Sequence, residues 1–171
     1  MIITGCMRSG TRSIARMFGL NHELEFNEFT KACPLDKHIY ECSWMAQPFV
    51  PFLDNVIFLA RNPLHIVDSI NDPSLAFWKN ASNDYVKFIG HHLPAIKILK
   101  KPLDKSIYYV REWITPLLDY PTIRIEDIRN SLRLNSRPLN TYKAPVENSD
   151  LYPSLMELVE KLGYECSPVP N

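Results

Sequence analysis

The sequence predicts an α/β fold, with a central parallel sheet flanked by helices in a single domain over residues 1–171. Three observations carry this expectation. Short apolar, β-branched runs recur along the chain, and stretches with helical spacing of apolar residues separate them. Each run leads directly into a helix start, so the order β-α-β-α-β-α…β-α requires crossover connections and parallel pairing. The composition, 46% hydrophobic and 22% charged, is that of an ordinary globular domain and excludes disordered and fibrous architectures.

Met1 to Thr4 reads as the first buried strand, ended by Gly5. Thr11 to Leu20 follows as an amphipathic helix, with Ile14, Ala15, Met17, Phe18 and Leu20 set against Arg12 and Arg16, and Gly19 near its end. His22 to Phe26 alternates Leu24 and Phe26 with charged neighbours and reads as a second strand, and residues 27–42 read as irregular. Ser43 to Leu53 is apolar and helical in character, interrupted by Pro48 and Pro51. Asn55 to Ala60 is the clearest buried strand, and Asn62-Pro63 caps a helix through Ile70. Helical stretches follow at Ser74 to Lys79, Asp84 to Leu93 and Leu103 to Leu118. Pro121 to Ile125 is a last short strand with Glu126-Asp127 at a helix start, Arg133 to Asp150 reads as loop, and Leu151 to Leu162 is a closing helix ended by Gly163. No internal repeat is visible.

Charge and cysteine content narrow the function classes. Nineteen basic and nineteen acidic residues cancel, so no basic excess exists for a nucleic-acid backbone. The apolar runs fall far short of the ~20 residues a membrane span requires. MIITG lacks the basic head and long apolar run of a signal peptide. Cys6, Cys33, Cys42 and Cys166 are too few and too scattered for a disulfide framework or a zinc ribbon, and Cys6 reads as a small buried thiol. The expectation is a cytoplasmic protein with no metal, whose oligomeric state the sequence leaves open.

The chemistry concentrates in the first loop, Gly5-Cys6-Met7-Arg8-Ser9-Gly10-Thr11. Two glycines frame successive N–H groups that can curl round an anion, and the next helix adds its positive end. Arg8 brings a full charge, and Ser9, Thr11 and Ser13 bring hydroxyl donors. The match to the nucleotide-triphosphate loop GxxxxGK[ST] fails at an informative place. Gly5 and Gly10 fit, but Thr11 replaces the phosphate-binding lysine, and the strand NVIFLA ends in Arg61 rather than a magnesium-binding aspartate. A small-molecule kinase would need both parts.

These residues resemble the P-loop sulfotransferases, which use 3′-phosphoadenosine 5′-phosphosulfate (PAPS), and in particular their short bacterial and phage-type members. The family's 5′-phosphosulfate loop reads [KR]-S-G-T-[TS], and Arg8-Ser9-Gly10-Thr11 matches it, with Arg12 departing at the last place as in the glycosaminoglycan-sulfating branch. A second signature, an arginine closing a strand and a serine eight residues on, matches Arg61-Asn62-Pro63 through Ser69. SWMAQPF, Trp113 and Arg124-Ile125-Glu126-Asp127 echo the family more weakly. The glycine-rich segment that closes over the 3′-phosphate in cytosolic eukaryotic members has no counterpart, and Arg133, Arg137 and Lys143 are the basic residues nearest its place.

The resemblance implies a P-loop fold and a metal-independent transfer of a sulfuryl group from PAPS, as co-substrate, to a hydroxyl or amine, releasing 3′,5′-ADP. It implies Arg8 at the leaving oxygen and Ser9, Gly10, Thr11, Arg12 and Ser13 at the 5′-phosphosulfate. Arg61 and Ser69 then hold the 3′-phosphate. For the base it implies a glutamate just after the second strand, where Glu28 stands, with Glu23, Glu25, His22 and His38 as rivals. The partner is a small-molecule or glycan acceptor, for whose site Pro34 to Phe52 and Ala76 to Pro102 are the available lining. Two other readings remain open: the kinase on a degenerate loop, and a non-catalytic module that binds PAPS or another nucleotide without turnover.

Overall fold

The computed structural model describes residues 1–34, 39–80, 82–131 and 143–165. Four parallel strands form one sheet: β1 (Ile2–Gly5), β2 (Glu41–Cys42), β3 (Val56–Ala60) and β4 (Thr122–Arg124), in the order β2-β1-β3-β4. The register sets Ile2 beside Val56 and Gly5 beside Leu59, so β1 and β3 end at the same level. Alternation sorts their side chains between two faces. Ile2, Val56, Phe58 and Ala60 join one core cluster, and Ile3, Cys42 and Leu59 join the other.

The smaller cluster is covered by α1 (Thr11–Phe18), through Ile14 and Ala15, and by Ile125 and Ile128 of α5 (Ile125–Ser131). The larger is covered by a 3₁₀ segment, Trp44–Phe52, and by α2 (Pro63–Asn71), α3 (Asp84–His92), α4 (Pro102–Ile114) and α6 (Tyr152–Lys161). At its centre the Trp44 ring meets Tyr85, Phe88 and Tyr109 edge-on at 5.8, 5.8 and 6.4 Å, while Trp113 Nε1 donates to Trp44 O at 3.1 Å. Such pairs add to area burial by about 0.5–1.5 kcal/mol each.

Three elements differ from the sequence expectation. His22 to Phe26 is irregular, although Asn21 bridges Glu41; the second strand is Glu41–Cys42, inside the stretch read as irregular. The Ser43 to Leu53 stretch is 3₁₀ rather than α, as Pro48 and Pro51 lack the N–H that an α-helical ladder needs. The stretch Ser74 to Lys79 holds one 3₁₀ turn, Phe77–Lys79. Of the loop Arg133 to Asp150, residues 133–142 lie outside the described residues, and the remainder carries a 3₁₀ turn at Val146–Asn148.

The connection after β1 leads to one face and the connection after β3 to the other. Between their carboxyl ends lies the crevice where open α/β sheets bind ligands. Among the described residues, no helix is long and apolar enough to cross a membrane.

Candidate functional site

The β1–α1 loop is shaped by close backbone approach. A Cβ on Gly5 would meet Leu59 O at 2.5 Å and Ser9 Oγ at 2.8 Å, so only glycine lets the loop start beside β3. Ser9 N–H donates to Cys6 O at 3.0 Å, and Met7 N–H donates to the buried Tyr109 hydroxyl at 3.0 Å. Arg8 takes a left-handed φ of 71° and Gly10 one of 99°. α1 then begins with Ser13 and Ile14 N–H on Gly10 O, and no side chain caps it. The N–H groups of Thr11 and Arg12 precede any helical acceptor and remain for an anion.

The two motif halves converge across the crevice. Arg8 Nε donates to Ser69 Oγ at 2.8 Å, and Arg61 Nη1 donates to Arg8 O at 2.6 Å. Ser69 is buried on α2, so its hydroxyl is fixed behind the arginine rather than exposed on the helix. A cavity of about 500 Å³ opens in front, walled by Arg8, Gly10, Thr11, Arg12 and Arg61 on the basic side. His22, Glu23, Trp44, Phe77, Asn83 and Tyr85 complete the lining.

The other expected residues fall elsewhere. Ser9 is fully buried, its Oγ packed toward Gly5 without a hydrogen-bond partner among the described residues, and Ser13 is exposed on α1 outside the cavity wall. Glu28 is half-buried and near enough to Glu23 and Tyr85 to raise both pKa values, yet it does not line the cavity. Glu25 is exposed. His38, Arg133 and Arg137 lie outside the described residues, whereas Lys143 faces His65 and Asp68, beside the Asp68 Oδ1 that accepts Ala144 N–H at 2.7 Å.

Glu23 and His22 form the titratable part of the wall. Burial raises the Glu23 pKa, against Arg12, which lowers it, and the Trp44 side chain favours its ionised form by hydrogen bonding. Burial, then Arg12 and Arg16, lowers the His22 pKa. His22 is therefore neutral at pH 7, and its Nε2 lies 3.3 Å from Glu23 Oε1 without forming an ion pair. The same Nε2 stands 3.4 Å from Thr11 Oγ1, linking this wall to the loop. Burial pushes the Cys6 thiol up to about 12, so it stays protonated and inert.

Trp44, Phe77, Asn83 and Tyr85 fall within the two stretches expected to be available as acceptor lining, although no motif singled them out. The Tyr109 hydroxyl that holds Met7 N–H carried no sequence signal and lies on the fully buried side of α4. Glu126, read in the sequence as a helix-start acid and as part of the Arg124–Asp127 echo, accepts from Asn62 N–H at 3.2 Å and Tyr164 OH at 2.9 Å, bracing the turn after Arg61. A larger hollow of about 1030 Å³ lies beside β4, between Phe18, Ile123, Ile128 and Leu162, but it is mostly apolar and remote from the loop. No group able to hold a metal ion occurs among the described residues. No family model, no curated protein and no solved structure matches this chain.

Proposed function

We propose that this protein transfers a sulfuryl group from PAPS to a hydroxyl or amine of an acceptor, releasing 3′,5′-ADP. The observation that carries this reading is the convergence of Arg8, Ser69 and Arg61 at the ends of β1 and β3. Residues that the loop motif and the strand-end motif supply separately thereby flank one cavity, with helical N–H groups at its rim. Two guanidiniums suit a ligand with two anionic ends, and the lysine and aspartate of a triphosphate-magnesium site are lacking at the corresponding places.

In this reading the acceptor oxygen or nitrogen attacks sulfur while the bond from sulfur to the 5′-phosphate oxygen breaks. Arg8 and the N–H groups of Thr11 and Arg12 stabilise charge growing on that leaving oxygen, with Gly10 taking the left-handed turn that starts α1 there. Arg61 meets the 3′-phosphate, and the Ser69 hydroxyl, buried behind Arg8 and outside the cavity lining, accepts from Arg8 Nε and holds that guanidinium in place. The acceptor's proton passes to a carboxylate. Glu23, which lines the same cavity as Arg8, suits this role, and its raised pKa brings it closer to neutrality, where a general base works best. Glu28, the glutamate the resemblance favours, stands one layer back and tunes Glu23 by its charge.

The test is a thermal-shift titration without magnesium. 3′,5′-ADP is expected to raise Tm well beyond 5′-AMP or ATP, because only it carries the 3′-phosphate. Arg61→Ala is expected to abolish the difference, a loss of about 1.5–3 kcal/mol for one charge-assisted hydrogen bond. Equal shifts with 3′,5′-ADP and 5′-AMP would refute the 3′-phosphate assignment, and a shift with ATP that needs magnesium would favour a kinase.

A further inference from the structure

A second hollow, also of about 500 Å³, opens on the far side of the Phe77–Lys79 turn, between α3, the 3₁₀ turn Pro94–Lys97 and α4. Trp78, Ile96, His91, Lys87, Lys97 and Lys105 wall it, and no carboxylate among the described residues does. The local charge is strongly biased. Residues 79–105 contain six of the chain's ten lysines but only two acids, Asp84 and Asp104, in a chain of zero net charge. Both acids are engaged: Asp84 pairs with Lys87 at 2.7 Å, and Asp104 Oδ1 accepts from Ser149 Oγ at 2.6 Å. Lys97 and Lys105 have no carboxylate within ion-pair distance among the described residues. Two ammoniums without counter-charges at one concavity create a field that selects an anion.

The aromatic wall is held in place before any ligand arrives. Trp78 Nε1 donates to Ser106 Oγ at 2.6 Å, and that hydroxyl donates to Pro102 O at 3.1 Å, so the indole N–H is already used. Phe77 and Tyr109 meet the ring edge-on at 4.9 and 6.3 Å. What remains for the hollow is carbon ring surface, suited to a flat body. Gly90 contributes by its missing side chain, since a Cβ there would approach Lys97 Cε to 3.1 Å. The glycine lets the Lys97 stem lie across α3 toward the hollow.

The geometry points to a second ligand site that takes a small anionic ring compound. Its phosphate, sulfate or carboxylate group sits between Lys97 and Lys105, and its ring lies against Trp78. This assignment stands independently of the sulfuryl-transfer reading. Phe77 lines the first cavity and Trp78 the second, so a single turn partitions them.

The probe is 4-nitrophenyl phosphate, whose nitrophenyl ring quenches tryptophan fluorescence, added to the full chain. Saturable quenching is expected, with inorganic phosphate and 4-nitrobenzyl alcohol each binding at least about tenfold more weakly, as each supplies half of the recognition. Lys97→Gln with Lys105→Gln should weaken binding at least about tenfold, and raised salt should mimic this effect. The unliganded Tm should change little, because Lys97 is exposed, Lys105 is half-exposed and neither is in an ion pair among the described residues. Gly90→Ala, which displaces Lys97, should weaken binding by a second route. Trp78→Phe should remove the quenching, while Arg61→Ala should leave it. Quenching that survives Trp78→Phe or the paired lysine substitution, or that disappears with Arg61→Ala, would put the anion in the first cavity and overturn the proposal. Absence of quenching, or equal affinity for inorganic phosphate, would overturn it as well.

Discussion

At Arg8 one residue connects three parts of the molecule. Its positive φ turns the loop, its carbonyl accepts from Arg61, and its Nε reaches the buried Ser69. The carboxylates opposite divide by position rather than by type. Glu23 itself adopts a φ of 53°, which the Asn21–Phe26 irregularity permits, and it lines the cavity. Once an acceptor is found by screening hydroxyl and amine compounds with labelled PAPS, Glu23→Gln is expected to lower the turnover number by about 10²–10⁴-fold while leaving 3′,5′-ADP binding intact. Glu28→Gln is expected to act weakly on turnover and to shift the acid limb of its pH profile, since it touches the reaction only through Glu23. A large turnover loss in Glu28→Gln with none in Glu23→Gln would reverse the assignment.

Among the elements, β1 and β3 are legible because buried parallel strands are continuous apolar runs, and α1, α2, α4 and α6 because their apolar stripes repeat at helical spacing. The loop residues Arg8, Gly10, Thr11, Arg12 and Arg61 are legible for the same reason: local order at a strand end is set by neighbours in sequence. β2 is not. It has two residues, and one is a glutamate with no exposed surface. Glu41 belongs there because its carboxylate accepts the N–H groups of Leu24, Glu25 and Phe26 at 3.1, 2.9 and 3.2 Å, a long-range arrangement without a sequence period. The same arrangement explains why His22 to Phe26 fails as a strand. Its N–H groups are satisfied by one side chain instead of a ladder, leaving Leu24 59% exposed while Phe26 is fully buried. Strand proximity also makes a prediction. Gly5→Ala forces a Cβ onto Leu59 O and is expected to cost about 1–3 kcal/mol, seen as a Tm loss of about 2–4 °C per kcal/mol. Gly19→Ala, with nothing within 4 Å of the added Cβ, should cost only its left-handed strain; an equal loss at both positions would refute the steric account.

For the whole molecule, titration follows from what the fold buries. Burial lowers the pKa of His22, His65 and His92 from 6.5, and His65 Nδ1 is buried without a hydrogen-bond partner among the described residues. Below 6.5 the unfolded chain takes up these protons before the folded one does, so stability falls as pH drops through that value. Glu23 and Glu41, raised from 4.5, and Asp68, raised from 3.8, act in the opposite sense. The folded chain takes up their protons first, so their contribution rises as pH falls toward those values. The expected profile is a Tm that declines from pH 7 to pH 6 and then flattens as the carboxylates begin to compensate. His65→Asn should reduce the initial decline, and a profile unaffected by that substitution would remove His65 from the account.

Helix α1 is only eight residues long, begins and ends at glycines in the left-handed region, and has no acid and no side-chain cap in its first turn, where Arg12 stands instead. A short helix with a cation at its positive end opens at low free-energy cost. An anion seated on its first N–H groups would supply the missing counter-charge, so occupancy and local folding are coupled. Native-state hydrogen exchange should therefore show the amides of Ile14 and Ala15 exchanging by local opening faster than the buried amides of α4. Saturation with 3′,5′-ADP should slow them preferentially, and uniform slowing across both helices would show that the ligand acts only on global unfolding.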